Sequence, residues 1–226
     1  FSVSPDANRI AMVTAPDQHL ITNEGDSFVD VFEVDSGEIT RVPDEWRKTA
    51  DAPYPWLEDL CWNADSNILA YTSNYDGYPT QIHSVSWENV DPAEKTLTRP
   101  EGVEVNGTLQ WISGNKLAFL AEQNALEKIY VVDHHQESSI VLTPEAQVVG
   151  NYDITPDGSI ASIRSGLTSA TDLFFNEDRV HEANPQIARW KLPKLSLETW
   201  IGAEGDEVQG ILELPPDHEP GKPLPL

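Results

Sequence analysis

The chain alternates short apolar runs with polar turns, and one such phrase recurs. "SVSPDANRIAMVT" (Ser2–Thr14) sets an apolar run, a Pro-Asp turn and a second apolar run in succession. The order returns in "LCWNADSNILAYTS" (Leu60–Ser73), "LQWISGNKLAFLA" (Leu109–Ala121) and "YDITPDGSIASIR" (Tyr152–Arg164). Pro presets φ for such a turn, Asp and Asn bond nearby backbone, and Gly or Asn tolerates positive φ. With Asp6, Asp65, Asn115 and Asp157 as equivalent turn residues, the spacings are 59, 50 and 42 residues. That irregular period brackets the roughly 40–50 residues of a four-stranded propeller blade.

Each unit predicts the same series of strands. A short first strand carries Phe1, Trp62, Trp111 or Ile154, and a second reads "RIAMVT", "ILAYTS", "KLAFLA" or "SIASIR". Alternation in the second strand is partial, as expected where a sheet is covered on both faces. Ala11, Ala70, Ala118 and Ala161 recur at one position, which predicts close approach of neighbouring sheets there. Third strands follow at Phe28–Val34, Thr80–Trp87, Glu127–Asp133 and Thr171–Glu177, and short fourth strands at "EITRV", "KTLTR" and "SIVLT". No segment sustains a helical period with caps. The fold class is all-β, a partial propeller of about four four-stranded blades. A single blade cannot cover its own two faces, so such units need neighbours.

Composition bounds the function. Thirty-eight acidic residues against fourteen basic ones give a net charge of −24, which opposes binding to nucleic acid and to anionic membrane surfaces. That charge serves solubility or salt adaptation, or else steers cationic groups such as peptide N-termini. No apolar run approaches the roughly 18–20 residues that span a bilayer. Cys61 is the single cysteine, so no internal disulfide forms, in keeping with a reducing, cytoplasmic setting without requiring one. Because the chain opens on Phe1 and reads as a piece of a longer polypeptide, a periplasmic or secreted setting stays open.

No candidate chemistry stands out. A hydrolase nucleophile elbow, G-x-S-x-G, is absent, so no catalytic residue is assigned. His134 and His135 read as a solvated loop, His83 as a satisfied core or channel residue, and His19, His181 and His218 as loop residues without metal partners. The acidic stretches Asn23–Asp30 and Glu204–Glu207 lack the ligand spacing of a calcium loop and read as solvated turns. Asn106-Gly107-Thr108 fits a glycosylation acceptor and, more simply, a turn ahead of a strand. No Gly-rich phosphate cradle occurs. No cofactor and no metal site is expected. Ala50–Trp62, dense in aromatics and proline, reads as a connection between blades, with Trp56 packed over a blade end or facing peptide.

The tail adds direction. "LETWIGAEGDEVQGILELP" (Leu197–Pro215) reads as a hairpin turning at Gly205-Asp206, and "PDHEPGKPLPL" (Pro216–Leu226) as a Pro/Gly loop entering an apolar strand. The "SPD…RIA" and "TPDGSIA" phrases resemble the TolB-like propeller repeat. With this tail, the whole chain resembles the prolyl oligopeptidase family of serine peptidases, in particular its acylaminoacyl-peptidase and dipeptidyl-peptidase branch. Ser169–Leu195 resembles that family's closing blade, including an Asn at Asn184. The third unit's "SGN" and an insertion at Ala15–Ser27 depart from the pattern.

The resemblance implies blades at 1–195 in an incomplete ring, then the first strands of a truncated α/β-hydrolase domain at 196–226. It implies a propeller that gates short peptides toward an active site beyond Leu226. The partners would be the missing hydrolase domain and missing blades, and the chain alone would be inactive. Oligomeric state is left open. The competing expectation is a stand-alone TolB-like propeller that binds a protein or glycan. If blades are missing upstream, unpaired strand edges and uncovered blade faces predict that the isolated chain is poorly cooperative or self-associating.

Overall fold

The computed structural model describes residues 1–15, 27–50, 55–75, 77–87, 93–97, 99–112, 115–135, 139–143 and 147–223. Four antiparallel sheets follow one another in chain order. The first holds β1 (Ser2–Val3), β2 (Arg9–Thr14), β3 (Phe28–Glu33) and β4 (Ile39–Arg41). The second holds β5 (Trp56–Trp62), β6 (Ile68–Tyr75), β7 (Tyr78–Ser86) and β8 (Ala93–Leu97). The third holds β9 (Glu104–Trp111), β10 (Lys116–Gln123), β11 (Leu126–Asp133) and β12 (Ser139–Val141). The fourth holds β13 (Gln147–Ile154), β14 (Ile160–Gly166), β15 (Ser169–Phe175) and β16 (Asp178–His181). A two-stranded ribbon, β17 (Lys194–Ile201) and β18 (Glu207–Leu214), comes last. Helix is confined, among the described residues, to 3₁₀ turns at Glu45–Lys48 and Pro185–Arg189. The architecture is all-β, a partial propeller of four blades.

A backbone hydrogen bond joins the end of each first strand to the start of the second. Ser4, Asn63, Ile112 and Thr155 donate their backbone N–H to the carbonyls of Arg9, Ile68, Lys116 and Ser159. In the first blade the Ser4 hydroxyl donates to Asp6 Oδ1 at 2.6 Å, and that oxygen accepts the Asn8 N–H at 3.0 Å. The fourth blade repeats this with Thr155, Asp157 and the Ser159 N–H. These hydrogen bonds to the ionised carboxylate hold the pKa of Asp6 and Asp157 below the usual value. The structural equivalence also corrects one assignment. Val3 occupies the Trp62, Trp111 and Ile154 position, while Phe1 lies outside the strand and is almost wholly exposed.

Register then decides which residues meet. Trp62, Leu69 and Val85 align across the second sheet and pack on Ala11 and Val31 of the first. Leu117 and Val132, aligned with Trp111 across the third sheet, pack with Ala70 of the second. Tyr152, Ile154 and Ile160 of the fourth sheet pack on Ala118, Leu120 and Val131 of the third. Each small Ala sits where the next sheet crosses closest, so Ala11, Ala70 and Ala118 are fully buried. Ala161, the fourth member, stays half-exposed on the free face of the last blade. Inner edges are tied as well. Trp62 Nε1 donates to the Ser2 carbonyl at 3.3 Å, and Trp111 Nε1 to the Cys61 carbonyl at 2.9 Å. Gln110 replaces that indole at the third junction, bonding the Tyr152 carbonyl and the Ile154 N–H at 3.1 and 3.0 Å.

Several elements depart from the sequence reading. First strands are short only in the first blade: β5, β9 and β13 run seven or eight residues. Trp56–Trp62 is therefore the inner strand of the second blade, where the sequence suggested a connection. A fourth strand, Asp178–His181, completes the last blade, as four four-stranded blades require, at a segment the sequence pattern does not single out. The terminal hairpin is the one anticipated, turning through Gly202–Asp206 with Gly205 at φ 90°. Its first strand begins at Lys194, so position 195/196 falls inside β17. Of the insertion at Ala15–Ser27, residues 16–26 lie outside the described residues, and with them His19 and half of the acidic stretch at 23–30, as do residues 51–54, 113–114 and 224–226.

The repeat predicts unequal tolerance at equivalent alanines. Ala118→Leu overfills a buried junction and should destabilise the chain by about 1–3 kcal/mol. Ala161→Leu, on the free face, should fall within about 0.5 kcal/mol of the parent. Urea unfolding of the two variants checks the difference.

Candidate functional site

The inner strands carry a shared irregularity. Register slips between Glu58 and Cys61 in β5, between Gly107 and Gln110 in β9, and at Gly150 in β13. Counted back from Trp62 and Trp111, the β-bulges of β5 and β9 fall at one structural position, and that of β13 lies farther from Ile154 along the strand. A bulge leaves a residue out of the ladder and re-aims its side chain. Asp59 (φ 53°), Gly107 (φ 91°) and Thr108 (φ 56°) adopt left-handed backbone there. Asn106-Gly107-Thr108 thus forms a bulge inside β9, where the sequence suggested a turn before a strand. The physical reason is the tight approach of β5: a Cβ on Gly107 would lie 2.1 Å from Asp59 Oδ2.

Around these bulges lies a cleft of about 260 Å³ between the second and third sheets. Glu58, Asp59 and Glu104 bring three carboxylates to it, with Thr72, Asn74 and Asn106 beside them. Asp59 accepts the Thr108 backbone N–H, and Thr72 Oγ1 donates to it at 3.4 Å. It still meets solvent at the cleft mouth, yet protein atoms surround the rest, and this desolvation raises its pKa. Glu104 accepts the Thr80 N–H at 3.1 Å and lies 3.7 Å from Arg99. Such a lining favours a cationic or hydrogen-bond-donating ligand group. It offers no nucleophile.

A second constellation has the geometry of a catalytic triad without its access. Ser73 Oγ lies 2.9 Å from His83 Nε2, and His83 Nδ1 lies 3.1 Å from Thr96 Oγ1 and 3.5 Å from Glu94 Oε1. Ser73 and His83 are fully buried, and the imidazole stacks against Trp46 at 4.6 Å and Tyr71 at 5.1 Å. Burial holds the His83 pKa below its ordinary value. No substrate reaches the serine, so the network binds β6, β7 and β8 together, and the sequence reading of His83 as a satisfied core residue holds.

Other titratable groups take structural places. His134, which the sequence placed in a solvated loop, is buried, and Ser84 Oγ lies 3.2 Å from its Nδ1 across the second and third sheets. His135 is exposed in a turn, as expected; His181 is exposed too, but it ends strand β16 where the sequence suggested a loop. Cys61 is half-buried and burial lifts its thiol to about 11, which keeps it protonated and unreactive. Trp56 is partly exposed opposite Asn74, one step along the ladder from the cleft. Among the described residues no three His, Cys, Asp or Glu side chains gather as metal ligands, and no helix is long and apolar enough to cross a membrane. Neither the bulges nor the cleft was read from the sequence. A signal existed in Asn-Gly inside an apolar strand pattern, which marks a bulge as well as a turn.

No family model matches the chain, and no curated protein matches it significantly. Solved structures do. Prolyl endopeptidases align over 96% of this chain and 31% of theirs, with a TM-score of 0.64 and 14% identity. The acylaminoacyl peptidase of Pyrococcus horikoshii aligns over 91% of this chain and 31% of its own, with a TM-score of 0.64 and 12% identity. TolB from Acinetobacter baumannii aligns over 93% of this chain and 50% of its own, with a TM-score of 0.52 and 15% identity. The chain spans about a third of the length of these peptidases. At such identities the likeness is one of fold: the blades resemble those of the propellers in prolyl oligopeptidase family peptidases and TolB.

Two tests probe these sites. Gly107→Ala should destabilise the chain by about 1–3 kcal/mol, and an Asp59→Ala background should recover the part due to the clash but not the φ strain. His83 gives a pH signature with a definite sign. Its folded pKa is depressed, so its contribution is intact above the unfolded value and is lost as pH falls through the window below about 6.5. The unfolding midpoint should drop between about pH 8 and about pH 5, more steeply than in His83→Gln, whose lower neutral-pH stability is a separate effect.

Proposed function

We propose that this chain is the non-catalytic propeller portion of a serine exopeptidase of the acylaminoacyl-peptidase and dipeptidyl-peptidase type. In this reading, residues 1–195 are blades and residues 196–226 are the opening strands of an α/β-hydrolase domain that carries the catalytic serine. The observation that carries it is the β17–β18 ribbon. Trp200, Val208 and Leu212 line one of its faces and Leu197, Ile201 and Ile211 the other, all more than a third exposed. A lone two-stranded ribbon is marginal in water, and one that is apolar on both faces needs a layer on each side. The innermost sheet of an α/β domain supplies that arrangement, whereas a propeller edge does not. The alignment with prolyl endopeptidases, spanning 96% of the chain, extends past the fourth blade into this segment.

The blades would act by exclusion. A rigid stack of sheets bars folded polypeptides by size, and the carboxylates of Glu58, Asp59 and Glu104 attract the amino terminus of a short peptide. A second reading, a stand-alone propeller binding a protein or glycan, is favoured by the likeness to TolB, half of whose length the chain covers. The two differ in what the gene encodes after Leu226. The first expects a G-x-S-x-G serine within the next few hundred residues, labelled in the intact protein by a fluorophosphonate. It also expects hydrolysis of short N-terminal or acylated peptide anilides. An intact protein that neither contains such a serine nor takes the label would overturn it in favour of the second.

A further inference from the structure

Thr108 stands in a conformation that its side chain opposes. Its φ of 56° is left-handed, and a β-branched residue adopts that region only where its surroundings force it. Two bonds from different blades do so. The Thr108 N–H donates to the Asp59 carboxylate of the second blade. The Thr108 carbonyl accepts the Tyr152 hydroxyl of the fourth blade at 2.7 Å. Tyr152 is buried, whereas Asp59 borders the cleft and meets solvent at its mouth. One strained residue of β9 thus joins the cleft to the junction between the third and fourth blades. The N–H and C=O concerned lie on either side of the same Cα, so the residue's own dihedral angles couple the two bonds. Breaking either bond removes half of what holds the left-handed backbone.

We propose that Thr108 is a loaded hinge through which proton uptake by Asp59 in the cleft sets how firmly the third blade holds the fourth. The closed state is left-handed at Thr108, with both bonds made. In the open state Thr108 relaxes to negative φ, Asp59 turns into water and the Tyr152 hydroxyl is released. The coupling is reciprocal, so loss of the Tyr152 bond also frees Asp59. Around Asp59, among the described residues, stand Glu58 and Cys61 on its own strand and Tyr152 on β13. Glu104 on β9 also borders the cleft, 3.7 Å from Arg99, and β6 offers the Thr72 hydroxyl. Burial outweighs the Thr108 and Thr72 bonds and raises the Asp59 pKa in the closed state. A group with a raised pKa favours the closed state when protonated, and that support is lost as pH rises through the closed-state value. Acid therefore tightens the hinge, and ionisation loosens it. None of this rests on the hydrolase reading.

Amide hydrogen exchange, read residue by residue by NMR, tests the hinge. The Thr108 amide reports the bond to Asp59, while Tyr152 touches the other side of the residue. Rates are taken relative to the Ile68 amide, which bonds Asn63 Oδ1 at 2.9 Å within the second blade and follows overall unfolding. Tyr152→Phe, which deletes one oxygen, should speed exchange at Thr108 by about tenfold on this scale. On a Thr108→Gly background, where the left-handed backbone is unstrained, the same deletion should change exchange at residue 108 by less than about twofold. In the parent, protection of Thr108, corrected for the intrinsic rate, should rise as pH falls from about 7 to about 4, and should stay flat in Asp59→Asn. This pH series needs no substitution in the parent. A Tyr152→Phe chain whose Thr108 amide exchanges as in the parent overturns the hinge. Protection that ignores pH, or follows it equally in Asp59→Asn, overturns control by Asp59. The presence or absence of a downstream hydrolase serine leaves these rates unchanged, which separates this outcome from that of the proposed function.

Discussion

One constraint governs this molecule: a twisted four-stranded sheet with two apolar faces can bury neither face by itself. Every blade must be covered on both sides by another, and the closest crossing needs a residue with almost no side chain. Alanine supplies this at Ala11, Ala70 and Ala118, each fully buried beneath the bulkier residues of the next sheet. Leu69 and Val85, or Leu117 and Phe119, then fill the space that the alanine leaves. Dispersion over these dense contacts and the removal of apolar area from water act at the same place. Indole and amide bonds at Trp62, Trp111 and Gln110 fix the inner edges against sliding.

The same packing shapes the interior chemistry. First strands of adjacent sheets come so near that the Asp59 carboxylate of β5 lies directly against Gly107 of β9, in the space a Cβ would occupy. The bulges that make room for this turn polar side chains into the cleft between the second and third sheets. Farther out, Ser73, His83 and Glu94 satisfy one another inside a single blade. Their arrangement shows that triad-like distances do not make a catalyst. Catalysis needs a nucleophile within reach of substrate and donors for the developing oxyanion, and a fully buried serine has neither.

The terminal ribbon faces the same problem as the blades in another form. Its strands run antiparallel in full register, Trp200 lies over Gly210, and yet both faces remain open to water. Blade faces and ribbon faces differ in what they require. A blade face repeats a pattern already answered three times within the chain, whereas the ribbon's two apolar faces match no junction in the propeller.

Much of this architecture was legible in the amino-acid order. Turn chemistry at Ser4-Pro5-Asp6 and Thr155-Pro156-Asp157, the recurring alanine and the third strands all depend on local φ preference and on residues close in sequence. The hairpin at Gly202–Asp206 was legible for the same reason. What stayed hidden depends on residues far apart. The long first strands were obscured because bulges at Asp59, Thr108 and Gly150 break the two-residue alternation that marks a strand. His134 read as solvated because its burial comes from Ser84, fifty residues away on another sheet. Whether the Ala161 face is covered, and whether Asp59 meets a glycine, are facts of how sheets stack. Local sequence determines strands and turns through backbone preference; the junctions follow only when distant segments compete for the same space.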